Sequence, residues 1–373
     1  MWEIIMAFEK IKGNFGFGCM RLPMNDTEVD TAHFSEMIDL FMASGFNYFD
    51  TAHGYIEGKS ETALRDCLIG RYDREDYVLT DKLSYWYIKG EDDILPLFHK
   101  QLERVGVEYF DFYLLHALNR ERYECFKRWN APEIIKKLRD EGYIRHIGMS
   151  FHDTAEVLDM ILTEQPDIEV VQLQINYLDF DDPGVQSKAC YDVAVKHGKK
   201  VIVMEPVKGG VLADPPGEVK TLLDGIGVQS YASFAIRYAA SFPEVFMVLS
   251  GMGNMKMVED NVRAMRDFSP LTEDERHTAD EARVLIRKHN QIPCTACNYC
   301  AEVCPKKIPI SRTFRAMNEV ALARLTRAEA KDTLPKEGAS AKDCIGCARC
   351  ESVCPQGIAI REKLETAAKM FKQ

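Results

Sequence analysis

The chain has 373 residues, 46% of them hydrophobic and 28% charged, enough apolar content to bury a large core and too much for a disordered polymer. Its 47 Lys and Arg against 58 Asp and Glu leave a formal net charge of -11, the wrong sign for gripping nucleic-acid phosphates or anionic lipid. No run reaches the roughly 18 apolar residues of a membrane-spanning helix, and Met1 to Lys10 lacks a basic flank followed by an apolar core, so a cytoplasmic protein with neither nucleic-acid nor membrane partners is expected.

Residues 2–8 read as an early strand, with Met6 an alternative start. Short apolar runs rich in β-branched or aromatic residues then recur at 15–20, 46–50, 77–82, 110–115, 143–150, 169–175, 200–204 and 245–249, giving eight predicted strands. Helical periods lie between them, closed by Ser44-Gly45, Gly70, Gly106, Gly142 and Gly198, with Pro243 after a sixth, and Asp153 with Glu156 forms a predicted capping box. Strict alternation with continuous apolar strands predicts a parallel sheet closed into a (β/α)8 TIM barrel over residues 1–271. Beyond Pro270 the texture changes. Thr272 with Glu275 caps a helix running to about Asn290, and a second, mainly α-helical domain is expected over 272–373.

Eight of the 12 cysteines fall in that second domain, as Cys294-x2-Cys297-x2-Cys300-x3-Cys304-Pro305 and, after 39 intervening residues, Cys344-x2-Cys347-x2-Cys350-x3-Cys354-Pro355. Each run has the bacterial ferredoxin spacing, in which three thiolates on a tight loop face three irons of a cube and a distant cysteine serves the fourth. In two-cluster ferredoxins that fourth ligand comes from the other run, which pairs Cys294, Cys297, Cys300 and Cys354 on one [4Fe–4S] cluster and Cys344, Cys347, Cys350 and Cys304 on the other. Zinc competes for such residues, although it takes two separated pairs and would leave a third cysteine surplus. The spacer contains a helical, mixed-charge stretch over 311–331, expected to span the clusters or pack beside them. Cys19, Cys67, Cys125 and Cys190 read as small buried hydrophobes.

Chemistry in a barrel of this kind sits at the carboxyl ends of the strands. The second predicted strand ends at Asp50 with Tyr55 close behind, the third at Lys82 and the fourth at His116. An acid, a phenol, an ammonium and an imidazole form a proton donor with its tuning set. A phenol titrates near 10 unless something favours its anion, and an ammonium about 4 Å away supplies up to roughly 4 kcal/mol at an effective dielectric near 20. Asp50 would hold Lys82, and His116 would hydrogen-bond a substrate oxygen, a set suited to protonating a carbonyl oxygen as hydride reaches its carbon.

The residues Asp50-Thr51-Ala52-His53-Gly54-Tyr55, Lys82 and Leu114-Leu115-His116 resemble the Asp/Tyr/Lys/His tetrad of the aldo-keto reductases in order and strand position. Gly142-Tyr143-Ile144-Arg145-His146-Ile147-Gly148-Met149-Ser150 is similar to that family's fifth-strand signature, and with the cysteine motifs the chain resembles the branch carrying a C-terminal ferredoxin-like domain. The resemblance implies NADH or NADPH across the barrel mouth, its carboxamide near Ser150, His152 and Gln172. Phe151 stands where the family has asparagine, and Met204 where an aromatic stacks on the nicotinamide. Lys208-Gly209-Gly210 after strand seven and Gly251-Met252-Gly253-Asn254 after strand eight are expected phosphate loops. Asp260 and Asn261 match an adenine-contacting pair. Met257 replaces a basic residue that meets a 2′-phosphate, which inclines the reading toward NADH, with Lys256 and Arg263 as substitutes.

The expected activity is hydride exchange between nicotinamide and a small-molecule carbonyl or alcohol, with Tyr55 as acid and base and the clusters linked to a ferredoxin- or flavodoxin-type partner. An FMN at the barrel mouth would bridge two-electron and one-electron chemistry. The alternative is an electron-transfer module whose barrel is a scaffold or flavin site. Clusters that only brace the fold are the third reading. Tyr85, Trp86 and Tyr87 suggest an aromatic pocket wall or lid.

Overall fold

Apolar runs without a polar face need burial on both sides, and eight of them meet that need by closing on one another. In the computed structural model, which describes residues 10–289 and 291–372, the strands are β1 (Phe15–Gly18), β2 (Tyr48–Asp50), β3 (Val78–Leu83), β4 (Phe110–Leu118), β5 (Ile144–Phe151), β6 (Val170–Gln174), β7 (Lys200–Met204) and β8 (Val245–Gly251). Each pairs in parallel with its neighbours, and β8 returns to β1 to close the expected barrel. The strand expected at 2–8 lies outside the described residues. A short hairpin, Met24–Asn25 with Glu28–Val29, follows β1.

The chain divides into two compact units, Met1–Pro206 with Ala232–Thr272, and Val207–Tyr231 with Glu273–Gln373. A 207–231 excursion after β7 belongs with the cysteine-bearing unit.

In the first unit, Tyr48, Val78, Phe112, Leu114, Val170, Ile202, Met247 and Leu249 pack together in a buried cluster of strand residues. Gly148 makes room for them, since a Cβ there would stand 2.4 Å from Leu114 Cδ2 and 2.5 Å from Val170 Cγ2. The β4–β5 register breaks between Leu115 and Leu118, where Ala117 has φ 56. The helix Ala155–Glu164 is capped one residue later than expected: Thr154 accepts from Val157 N, while Asp153 accepts from Arg120 N at 2.8 Å.

The second unit is helical. It comprises Gly217–Gly225, Glu273–Arg287, Tyr299–Glu302, Ile310–Ala321, Arg327–Asp332, Arg349–Ser352 and Ile360–Met370. Its core combines Ile308, Ile310, Phe314, Ile358, Ile360 and Leu364 with Cys300, Cys304 and Cys350, and Cys294, Cys344 and Cys354 pack against it. The helix expected over 311–331 is two helices, because Ala323 turns at φ 54 and Thr326 with Glu329 starts a new capping box. Among the described residues, no helix is long and apolar enough to cross a membrane.

Candidate active site and cysteine-lined cavities

Strands β2, β3 and β4 deliver the expected acid, ammonium and imidazole to one end of the barrel, and the loop after β2 adds the phenol. Lys82 is wholly buried and Asp50 nearly so. Lys82 Nζ donates to Asp50 Oδ1 at 2.6 Å, to the Thr51 carbonyl at 2.7 Å and to Tyr55 Oη at 3.5 Å. Those three bonds match the three donors of an ammonium and fix its direction. Burial pushes the Asp50 carboxyl up, and Lys82 pulls it back. Gln172 Nε2 adds a bond to Asp50 Oδ2 at 3.4 Å.

His116 packs edge-on to Tyr55, ring centroids 6.0 Å apart, and to Trp86 at 5.4 Å. Its Nδ1 lies 2.7 Å from Ser84 Oγ. Burial, then the charge of Lys82, hold this imidazole well below the usual range, with smaller contributions from His152 and Arg122. A neutral ring that accepts the Ser84 hydroxyl at Nδ1 carries its proton on Nε2. His152 is likewise pushed down to about 4, by burial and then by Arg122. The constellation can give a proton to a substrate oxygen and hydrogen-bond that oxygen without placing a second cation beside it.

In the second unit the two cysteine loops share one backbone. Ala296 and Asn298 have φ 54 and 65, and Gly346 and Ala348, fifty positions on, have φ 69 and 61. Alternating left-handed residues turn successive amides inward, a conformation suited to anionic sulfur. Cys294, Cys297, Cys300 and Cys354 line one pocket. Cys304, Cys344, Cys347 and Cys350 line another. Ile310 lines both, so the helix it starts packs beside the pair. Among the described residues, no group of three or more His, Cys, Asp or Glu converges for a single ion. The cysteines instead divide four and four between two pockets, as two four-thiolate clusters need, and no set closes to the roughly 2.3 Å sulfur shell of zinc. Burial drives the Cys300 thiol well up and that of Cys350 to about 11, so thiolates persist there only against compensating positive charge such as iron. The residues fit the expected guests.

Two family models match the chain: the aldo/keto reductase family over residues 14–284 and a 4Fe-4S dicluster domain over 293–359. The chain belongs to the aldo/keto reductase family. As a member it is an NAD(P)-dependent oxidoreductase, here joined to a 4Fe-4S dicluster domain. It is 30% identical over 203 residues to an aldo-keto reductase of Mycolicibacterium smegmatis, a match covering 54% of this chain and 66% of that relative. An aldo-keto reductase of Bacillus halodurans in its holo form superposes with TM-score 0.61 at 24% identity, covering 73% of this chain and 92% of that one. An aldo/keto reductase of Klebsiella pneumoniae in complex with NADP and acetate superposes with TM-score 0.59 at 19% identity, covering 72% and 90%.

Against the reductase fold the remaining expected site residues separate into three groups. Ser150 and Gln172 are register partners on β5 and β6, presenting a hydroxyl beside a carboxamide, a donor and acceptor set that fits a nicotinamide carboxamide. Ser150 Oγ also accepts from Ala117 N at 2.7 Å and so braces the kink after His116. Around the end of β8, Asn254 caps the helix Met255–Arg266, Met252 is buried, Asn261 donates to Ser250 Oγ at 3.1 Å and Asp260 pairs with Arg263. Gly253 N donates to Met257 Sδ at 3.5 Å, and the helix start behind Asn254 suits an anion. Lys208, Gly209 and Gly210 fall elsewhere, in the second unit.

Ser84, the Thr51 carbonyl and Arg122 also act on the Lys82 and His116 side chains and were missed from sequence. Ser84 was readable, because it lies two positions after Lys82 and strand alternation returns it to the same face. Nothing local marks Arg122, whose guanidinium sits 5.0 Å over the Trp86 ring and donates to the Ala117 carbonyl.

Proposed function

We propose that the barrel interconverts a small carbonyl compound and its alcohol, with Tyr55 giving or taking the proton at the substrate oxygen. One observation carries the reading: Lys82 Nζ donates to Tyr55 Oη at 3.5 Å while anchored by Asp50 and Thr51. The ammonium stabilises the oxyanion that the phenol leaves behind, which favours proton donation by Tyr55. Neutral His116 orients the substrate oxygen through Nε2, and the Trp86 indole walls the site with an apolar surface that excludes water.

A bound nicotinamide supplies the hydride. Ser150 and Gln172 would hold its carboxamide, with His152 beside them, and Gly251, Met252 and Asn254 would meet its phosphates. Asp260 and Asn261 would flank its adenine. The Klebsiella relative in complex with NADP and acetate supports the nicotinamide class. FMN finds no such support and forms no part of the reading.

The same proposal assigns Cys294, Cys297, Cys300 and Cys354 to one cluster, cluster 1, and Cys304, Cys344, Cys347 and Cys350 to the other, cluster 2. Their support is the partition of the cysteines between the two cavities. Bound cubes supply one-electron storage, and two of them match in number the two electrons of a hydride. A small ferredoxin- or flavodoxin-type protein is the partner proposed to exchange those electrons. The test is Tyr55→Phe, expected to slow NAD(P)H-dependent reduction of 4-nitrobenzaldehyde at least about 100-fold with cluster absorption unchanged. Turnover near that of the parent protein would remove Tyr55 from the role.

A further inference from the structure

The two cysteine repeats match in backbone but not in charge. Cys304-Pro305-Lys306-Lys307 corresponds to Cys354-Pro355-Gln356-Gly357, and Lys307 and Gly357 share the left-handed turn at φ 54 and 58. Lys306 lines the cavity assigned to cluster 2, whereas Gln356 lines that of cluster 1. The cation absent from the second repeat arrives from the 207–231 excursion of the same unit. Lys208 Nζ donates to Gln356 Oε1 at 3.4 Å, and Lys208 is only 2% exposed.

Its neighbour fixes that placement. Gly209, at φ 61, runs so close to Thr295 that a Cβ would lie 2.4 Å from the Thr295 carbonyl oxygen, and Thr295 lines the same cavity. The excursion is tied further by Arg324 Nη1 to Asp214 at 2.8 Å and by His289 Nε2 to Glu218 at 3.1 Å. The Gly-Gly segment read from sequence as a phosphate loop thus packs, through Gly209, behind Thr295 in the wall of that pocket.

We propose that Lys208 tunes the potential of cluster 1, supplying through Gln356 the positive charge that Lys306 supplies to cluster 2. This rests on the cluster ligation proposed above. Reduction brings one electron to the cube and transfers no atom, so the cube with its four thiolates gains one negative charge. A nearby buried ammonium favours the more negative state and raises the potential. Lys208 is buried and weakly screened, while Lys306 is exposed, so removing Lys208 is the larger perturbation.

The test is an anaerobic dithionite titration of the full holoprotein followed by EPR. Lys208→Met is expected to shift one of the two one-electron waves toward lower potential by about tenfold in its oxidised-to-reduced ratio, about 59 mV for one electron. Lys306→Met is expected to move the other wave by less, and Lys208→Met with Gln356→Lys to return the first wave to its original place. A loaded Lys208→Met protein with both waves unmoved overturns the proposal. If Lys208→Met alone fails to retain cluster 1, the double variant must retain it near the original potential, and loss there too overturns the proposal. Parent protein purified without iron would instead sink the ligation beneath it.

Discussion

Replacing Lys82 by methionine removes the group on which the proton chemistry turns. The ammonium lies 3.5 Å from Tyr55 Oη, where an effective dielectric near 20 gives about 5 kcal/mol of stabilisation for a phenolate. That equals three to four decades of acidity before the opposing Asp50 carboxylate, 2.6 Å from the same nitrogen, takes back a share. Turnover of 4-nitrobenzaldehyde by Lys82→Met should therefore fall about 100- to 1,000-fold. Asp50, nearly fully buried, would be left without its charge partner, and the urea midpoint should drop by the equivalent of about 3–5 kcal/mol. Adding Asp50→Asn removes the stranded carboxylate and should recover most of the stability but none of the rate. The two readouts separate a catalytic role from a structural one. Recovery of turnover in the double variant, or a single variant within threefold of the parent rate, would refute the reasoning.

Cys354→Ala should halve the iron content, sparing the cluster of Cys304, Cys344, Cys347 and Cys350; an undiminished iron count would contradict the crossed ligation. The histidines give a pH signature. His116 and His152 are held below the ordinary imidazole value of about 6.5, so the unfolded chain takes up their protons first as pH falls. Stability that both contribute above pH 6.5 is lost toward pH 5, at most about 2 kcal/mol each, and His152→Gln should flatten the fall in urea midpoint between pH 7 and 5. The rate of carbonyl reduction should show no limb near 6.5, and a limb there that His116→Gln abolishes would place a charged imidazole in the site.

The barrel was legible because its strands are buried on both faces and read as unbroken apolar runs, and the nearness of Asp50, Lys82 and His116 because they stand toward the same ends of neighbouring strands. The cysteine spacing was legible for a different reason, since three thiolates on one cube leave little freedom in the loop between them. What escaped depends on distant or sub-residue detail. The cap at Thr154 differs from Asp153 by one position, and both are good caps. The break at Ala117 comes from Ser150 Oγ bonding its amide across the sheet, a partner 33 residues away. The 207–231 excursion meets Thr295 and Gln356, and no local pattern reports contacts so far along the chain. A Lys-Gly-Gly run after a barrel strand looks the same whether it cradles phosphate or braces a cluster.

Hydride delivery to carbon, with the proton arriving separately from Tyr55, is most directly tested with NAD(P)H deuterated at nicotinamide C4. One deuterium should appear on the carbinol carbon of 4-nitrobenzyl alcohol, with the oxygen-bound hydrogen drawn from solvent and the rate of that transfer collapsing in Tyr55→Phe. Product whose carbinol carbon carries the aldehyde hydrogen and a second hydrogen from solvent, with no deuterium, would contradict the reductase mechanism.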